Sequence, residues 1–175
     1  MSGRCKRLLA NREGVAAVEF AMIAPVLIAM FFGTIELSSM LQCASDVKLM
    51  AGTAADLTAQ ASQIANSDES NIFAAVNTIL YPYPTTGCRI TLTSIVDDGH
   101  GGGKVAWSDS SSGAGYAVNT PMTVPAGVLP AGGSVILAEV SYPYQSPTTV
   151  QVAGTITLTR SAYSTPRTVT QIPRV

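Results

Sequence analysis

The sequence predicts an α+β protein: a long N-terminal transmembrane and stem helix, a short second helix, and a small antiparallel β-sheet head. Three observations carry that prediction. Sixteen uncharged residues run from Phe20 to Ile35. Apolar residues then recur every three or four positions as far as Ile64, the period of a helix. From Cys88 onward the period changes to two, that of strands.

The first helix follows from its length and flanks. Val15 to Leu41 is apolar apart from Glu19, Glu36 and a few small polar groups. About 20 such residues cross the hydrocarbon core of a bilayer, whereas a secretory apolar region is shorter. No small-residue cleavage site follows; "TIELSSMLQCASD" continues the helical pattern. Arg4, Lys6, Arg7 and Arg12 precede the run, and the next basic residue is Lys48. The positive-inside rule therefore places the N-terminus in the cytoplasm and residues 42–175 beyond the membrane. Pro25 is tolerated in a spanning helix, where neighbouring groups satisfy the freed carbonyl. Further on, Leu41, Ala44, Val47, Ala54, Leu57, Ala61 and Ile64 form an apolar stripe opposite Gln42, Asp46, Lys48, Asp56 and Gln60. One helix from Val15 to about Ile64, roughly 75 Å long, is expected.

The head is read in the same way. In "NSDES", Ser67 is the expected N-cap, with Asp68 and Glu69 in the first turn of a second helix. Ile72, Phe73, Val76, Ile79 and Leu80 give it an apolar face before "YPYP" ends it. "CRITLTSIV" and "KVAWSDS" flank the glycine-rich "DDGHGGG" as a hairpin. "SVILAEVSYPY" and "GTITLTRSAY" add two strands, making about four. The intervening "SSSGAGYAVNTPMTVPAGVLPAGG" reads as a long loop with short extended pieces.

Composition excludes several function classes. The chain is 47% hydrophobic and 12% charged, and between Val105 and Thr159 only Asp109 and Glu139 carry charge. That leaves no basic stripe for phosphates, so no nucleic-acid partner is expected for the C-terminal part. His100 is the only histidine, and with Asp97 and Asp98 it falls short of a zinc or EF-hand set. A Cys88–His100 nucleophile pair has no supporting motif, no G-x-S-x-G occurs, and "GHGGGK" lacks the order of a phosphate loop. Asp109 to Gly113 lacks the last serine of an Asp-x-Ser-x-Ser metal motif and reads as a loop. The expectation is therefore no catalytic residue, no metal and no cofactor: not an enzyme. Of three cysteines, Cys5 precedes the span; Cys43 and Cys88 face an oxidising compartment, as a disulfide or as separate buried thiols.

One short stretch is more specific. A basic leader ends in Gly14, and Val15, Ala16, Ala17, Val18, Glu19 and Phe20 follow, with the glutamate at the fifth position after the glycine. This resembles the processing site of type IV pilin-like proteins, which a prepilin peptidase cuts on the cytoplasmic face. The fuller string "REGVAAVEFAMIAPVLIAMFFGTIEL" resembles the TadE family of minor pseudopilins from tight-adherence (Flp-type) pilus systems. The matching features are Arg12, Gly14, residues 17–20, Pro25 and the Ile-Glu-Leu of 35–37, including Glu36. A weaker likeness continues in "VSYPYQ" and "LTRSAYSTPR". Phe20 stands where many pilins carry tyrosine.

The resemblance implies a division of the chain and a set of partners. Residues 1–14 would be a cleaved leader, 15–41 the membrane span, 42–65 the stem continuation and 66–175 a pilin-like periplasmic head. Partners would be a prepilin peptidase, other pseudopilins and the major pilin, an inner-membrane assembly platform with its ATPase, and membrane lipid. Cutting between Gly14 and Val15 frees an α-amino group of pKa about 7.7–8.0. A carboxylate alone at a helix centre in lipid costs about 2.5–3.5 kcal/mol. The amine of one subunit and Glu19 of a neighbour would neutralise each other; the plainer reading is a Glu19 that snorkels to headgroups. Glu36 would lie near the outer boundary of the bilayer. The competing function class is a signal-anchored periplasmic binding or catalytic domain, for which a cut at Gly14 serves no purpose.

Overall fold

The computed structural model describes residues 13–145 and 155–175; the basic leader residues and Cys5 lie outside them. A single helix, α1, runs Glu13–Gln60 with Pro25 inside it. A second, α2 (Asn66–Asn77), passes into a 3₁₀ turn at Thr78–Leu80. Five strands follow: β1 (Arg89–Asp97), β2 (Gly103–Ser110), β3 (Pro121–Met122), β4 (Ser134–Tyr144) and β5 (Ile156–Ser164). They form one sheet in the order β3-β2-β1-β4-β5, antiparallel throughout. The α+β architecture matches the sequence expectation. The strand beyond the four expected is β3, a two-residue piece of the long loop that pairs Pro121 and Met122 with Lys104 and Gly103.

The chain divides into two compact units, Met1–Ser39 and Met40–Val175. In the described part of the first unit α1 is long and apolar enough to cross a membrane, and its apolar window buries nothing against the rest of the protein. Phe20, Met30 and Phe31 are 68%, 66% and 63% exposed. Thr34 donates its hydroxyl to the Met30 carbonyl at 2.8 Å, so the helix satisfies this polar group internally.

The second unit is the head. Cys43, Val47, Met50, Ala51, Ala54, Ala55 and Ala59 of α1 are buried on one stripe. Four of these are alanine. Alternation along β4 decides the sheet faces. Ile136, Ala138, Val140, Tyr142 and Tyr144 join the α1 core with Leu92, Trp107 and Leu158, while α2 and its 3₁₀ turn add Val76 and Leu80. Each such aliphatic side chain contributes about 1.5–3 kcal/mol on burial. The odd residues Val135 and Leu137 join Ile95 in a smaller cluster, covered by Met122, Val124, Val128 and Leu129 from the loop. A register shift opposite Ser94 and Ile95 pairs Trp107 with Ser94 and Val105 with Ile95. The extra residue, Ala106, lets Trp107 and Val105 serve opposite faces despite being two apart.

Three local expectations are corrected by long-range contacts. α1 stops at Gln60, where the C-terminal segment takes over: the Arg167 N–H donates to the Ala59 carbonyl in the last turn, and the Thr168 hydroxyl to the Ala61 carbonyl just beyond it. Ile64, expected on the helix, instead makes a parallel bridge to Arg174. The cap of α2 is Ala65, whose N–H donates to the Asp68 carboxylate at 3.0 Å, and Ser67 lies inside the helix. Asp109 and Ser110 end β2, as the strand reading of "KVAWSDS" expects, so that only 111–113 of the serine stretch lie in the loop; Asp109 accepts from Arg174 at 2.6 Å.

Candidate functional site

The sequence-marked residues of the first unit lie along one exposed helix. Gly14, Val15, Glu19 and Phe20 are all exposed on α1, and Glu36 is half-buried. A Cβ added at Gly14 would meet nothing within 4 Å among the described residues. Its backbone is helical, where glycine is worse than alanine by roughly 1 kcal/mol. The fold therefore has no use for glycine at this position. Val15 and Glu19 are four residues apart on α1 and share a face, one turn from each other. Among the described residues no cation pairs with Glu19. Pro25 continues the helix rather than ending it.

In the head, Cys43 is fully buried, Cys88 is half-buried, and both are free thiols. Burial pushes each up to about 11, and for Cys43 the nearby Asp46 and Cys88 add to the effect. His100 is exposed, with Nδ1 3.0 Å from the Asp98 carbonyl. Asp98 accepts from the N–H groups of His100 and Gly102, and Asp97 from those of Gly132 and Gly99; these bonds hold both carboxyls below the usual range. The two aspartates thus shape a turn. Among the described residues no three metal-ligating side chains converge.

Two features were invisible to sequence reasoning. On the sheet face away from α1, a groove of about 410 Å³ is lined by Arg89, Thr91, Tyr116, Glu139 and Ser141. Its charges are engaged: Arg89 donates to Ser110 Oγ and the Ala114 carbonyl, and Glu139 accepts from the Tyr116 hydroxyl at 2.8 Å. The other is a cluster around Arg174, which donates to Asp109, to Glu69 at 2.9 Å and to Asn66 at 2.5 Å. Arg174 is 65 residues or more from each of these partners in sequence, so no local signal marks the cluster.

No curated protein and no solved structure matches the chain. Residues 14–56, which begin at the glycine that the fold does not require and include Glu19, Pro25 and Glu36, match the family described as TadE-like protein.

Proposed function

We propose that this protein is a minor pseudopilin that takes part in assembling a tight-adherence (Flp-type) pilus. Prepilin peptidase cuts it after Gly14, residues 15–41 anchor it in the inner membrane, and the stem (42–65) and head (66–175) occupy the periplasm. One observation carries this reading: Gly14 stands where the fold does not need glycine, five residues before Glu19 and at the start of the TadE-like stretch. Glycine at this position suits a narrow peptidase cleft, which has no room for a side chain before the cut. The other pseudopilins, the major pilin and the assembly platform are the partners of the exposed helix, a reading supported by its apolar window, none of which is buried among the described residues.

The test is the mass of the native protein in cells with a working pilus system. A chain beginning at Val15 is expected, and Gly14→Val should abolish it. An intact Met1 terminus would leave the signal-anchored binding domain as the better reading. Glu19 then serves assembly, as counter-charge to a neighbour's Val15 amine. Glu19→Gln should still be inserted and cut, yet lose crosslinking to other pseudopilins, because a dry amine without its partner costs several kcal/mol. Normal crosslinking and piliation in that variant would reduce Glu19 to a snorkelling charge.

A further inference from the structure

The sheet face away from α1 changes character along its strands. Val135 and Leu137 of β4 and Ile95 of β1 lie under Met122, Val124, Val128 and Leu129 of the long loop. By alternation the same rows continue as Glu139 and Ser141 on β4 and as Thr91 and Arg89 on β1. Here the apolar cover gives way to the groove of about 410 Å³, which falls within the ~300–1,000 Å³ of ordinary ligand pockets. The loop after β2 forms one wall and is held from several sides. Gly113 turns it with φ 76°, and Gly115 presses it onto β2, where a Cβ would stand 2.4 Å from the Ser108 carbonyl. Arg89, bonded to Ser110 Oγ at 3.1 Å, donates to the Ala114 carbonyl at 2.6 Å. Tyr116 donates to Glu139 at 2.8 Å, and its ring stays 41% exposed in the lining.

These ties fix the wall and leave bonding capacity unused. Arg89 and Glu139 form no salt bridge with each other or with any other described residue. Among the described residues, Arg89 Nη1, Glu139 Oε1 and the hydroxyls of Ser141 and Thr159 make no hydrogen bond. The lining therefore offers a fixed donor, a fixed acceptor, two hydroxyls and an aromatic face, and its single positive and single negative charge leave it neutral. An anion or a cation would meet a like charge as well as an opposite one. A neutral molecule rich in hydroxyls suits the set, because each hydroxyl both donates and accepts. Bonds from such hydroxyls to the carboxylate and the guanidinium are charge-assisted, roughly twice as strong as neutral ones. The negative face of the tyrosine ring receives the C–H face of a pyranose.

We propose that this groove binds a neutral saccharide, with one pyranose against Tyr116 and neighbouring hydroxyls held by Glu139 and Arg89. Preorganisation favours this, since the wall is already in place and little ordering is left to binding. The site lies wholly within the head, and it rests on neither the membrane span, nor processing, nor a pilus.

The full chain, in a detergent without a sugar headgroup, is tested by saturation-transfer difference NMR. The probes are glucose, galactose, mannose, N-acetylglucosamine, maltose and cellobiose. At least one should receive saturation, strongest at its ring C–H protons. Glu139→Gln keeps the shape and an acceptor for Tyr116, and should weaken that binding about tenfold, the worth of one charge-assisted hydrogen bond. Tyr116→Ala should abolish the transfer. Trp107, the only tryptophan, packs in the α1 core with its indole bonded to the Ile172 carbonyl, so its emission shows in each variant whether the head is folded. Should Tyr116→Ala lower the unfolding midpoint, Glu139→Gln carries the test alone. No transfer to any of these sugars, or equal affinity in Glu139→Gln, overturns the site. Displacement of the bound sugar by inorganic phosphate overturns the neutral ligand.

Discussion

Arg174→Met keeps the length and apolar stem of the side chain and removes its charge, which isolates what the guanidinium does. In the folded head its side chain is 22% exposed, facing Glu69 at 15% and Asp109 at 30%. Hydrogen bonds to charged groups are worth about 1.5–3 kcal/mol, and stripping one partner from a buried pair costs about 3–5 kcal/mol. At this partial burial the loss should be about 2–3 kcal/mol, lowering the melting temperature of a head this size by roughly 6–10 °C. The pH dependence gives a sharper signature. Burial and the neighbouring Asp109 raise the Glu69 carboxyl above 4.5, against the pull of Arg174. An acid with a raised folded pKa contributes stability below its unfolded value and loses it as pH rises through the folded one. Removing Arg174 raises Glu69 further, so the deficit of Arg174→Met should be larger at pH 7.5 than at pH 4.5. Urea unfolding of the full chain in detergent, followed by Trp107 fluorescence, measures both, because the Trp107 indole bonds Ile172 two residues from the substitution. An equal deficit at both pH values would refute the electrostatic account, and a deficit below about 0.5 kcal/mol would place the cluster among inert surface pairs.

Other outcomes follow from the packing of the head and stem. Gly115→Ala should destabilise the head by about 1–3 kcal/mol, because its Cβ would stand 2.4 Å from the backbone carbonyl of Ser108; an unchanged unfolding midpoint would contradict that contact. Gly52→Ala should stabilise the isolated chain by about 0.5–1 kcal/mol, since a Cβ there meets nothing within 4 Å; a loss would reveal a clash that the free protein does not contain. With both thiols pushed up to about 11, Cys43 and Cys88 should alkylate on the order of a hundredfold more slowly at pH 8 in the folded chain than in urea, as read by residue-resolved mass spectrometry; equal rates would refute their burial.

The parts of the fold legible in the sequence are those governed by local periodicity. The three-to-four repeat from Val47 to Ala59 identifies the stripe that is buried, and the alternation in "SVILAEVSYPY" identifies both faces of β4. Positions where distant segments compete with local preference were not legible. Ile64 fits the helical pattern, but Pro173 and Val175 engage its backbone, with N–H to carbonyl distances of 3.0 and 2.9 Å, and a bridge wins over a further turn of helix. Ser67 is a better cap than Ala65 by residue type, yet Asp68 reaches back to the Ala65 N–H and shifts the start. The strand "KVAWSDS" places Asp109 at the end of β2, but its cation, Arg174, lies 65 residues away and has no local signal. At the candidate site the spacing of Gly14 and Glu19 is a sequence fact; the structure adds that nothing within the described chain explains either residue.

The C-terminal segment that closes over α1 has a kinetic meaning. Its bonds to Asp56, Ala61, Ile64, Asn66 and Glu69 span 105 to 111 residues of chain. Contacts of such separation form late, because the loop entropy comes before any reward. A chain made N-terminus first therefore presents Val47, Met50 and the alanine stripe without these closing contacts until residue 174 has been made. During that interval the same stripe that later joins the core is open to any apolar surface nearby. The interval between the two ends of the chain, as much as final stability, then bears on whether the head closes on itself or is captured by something else.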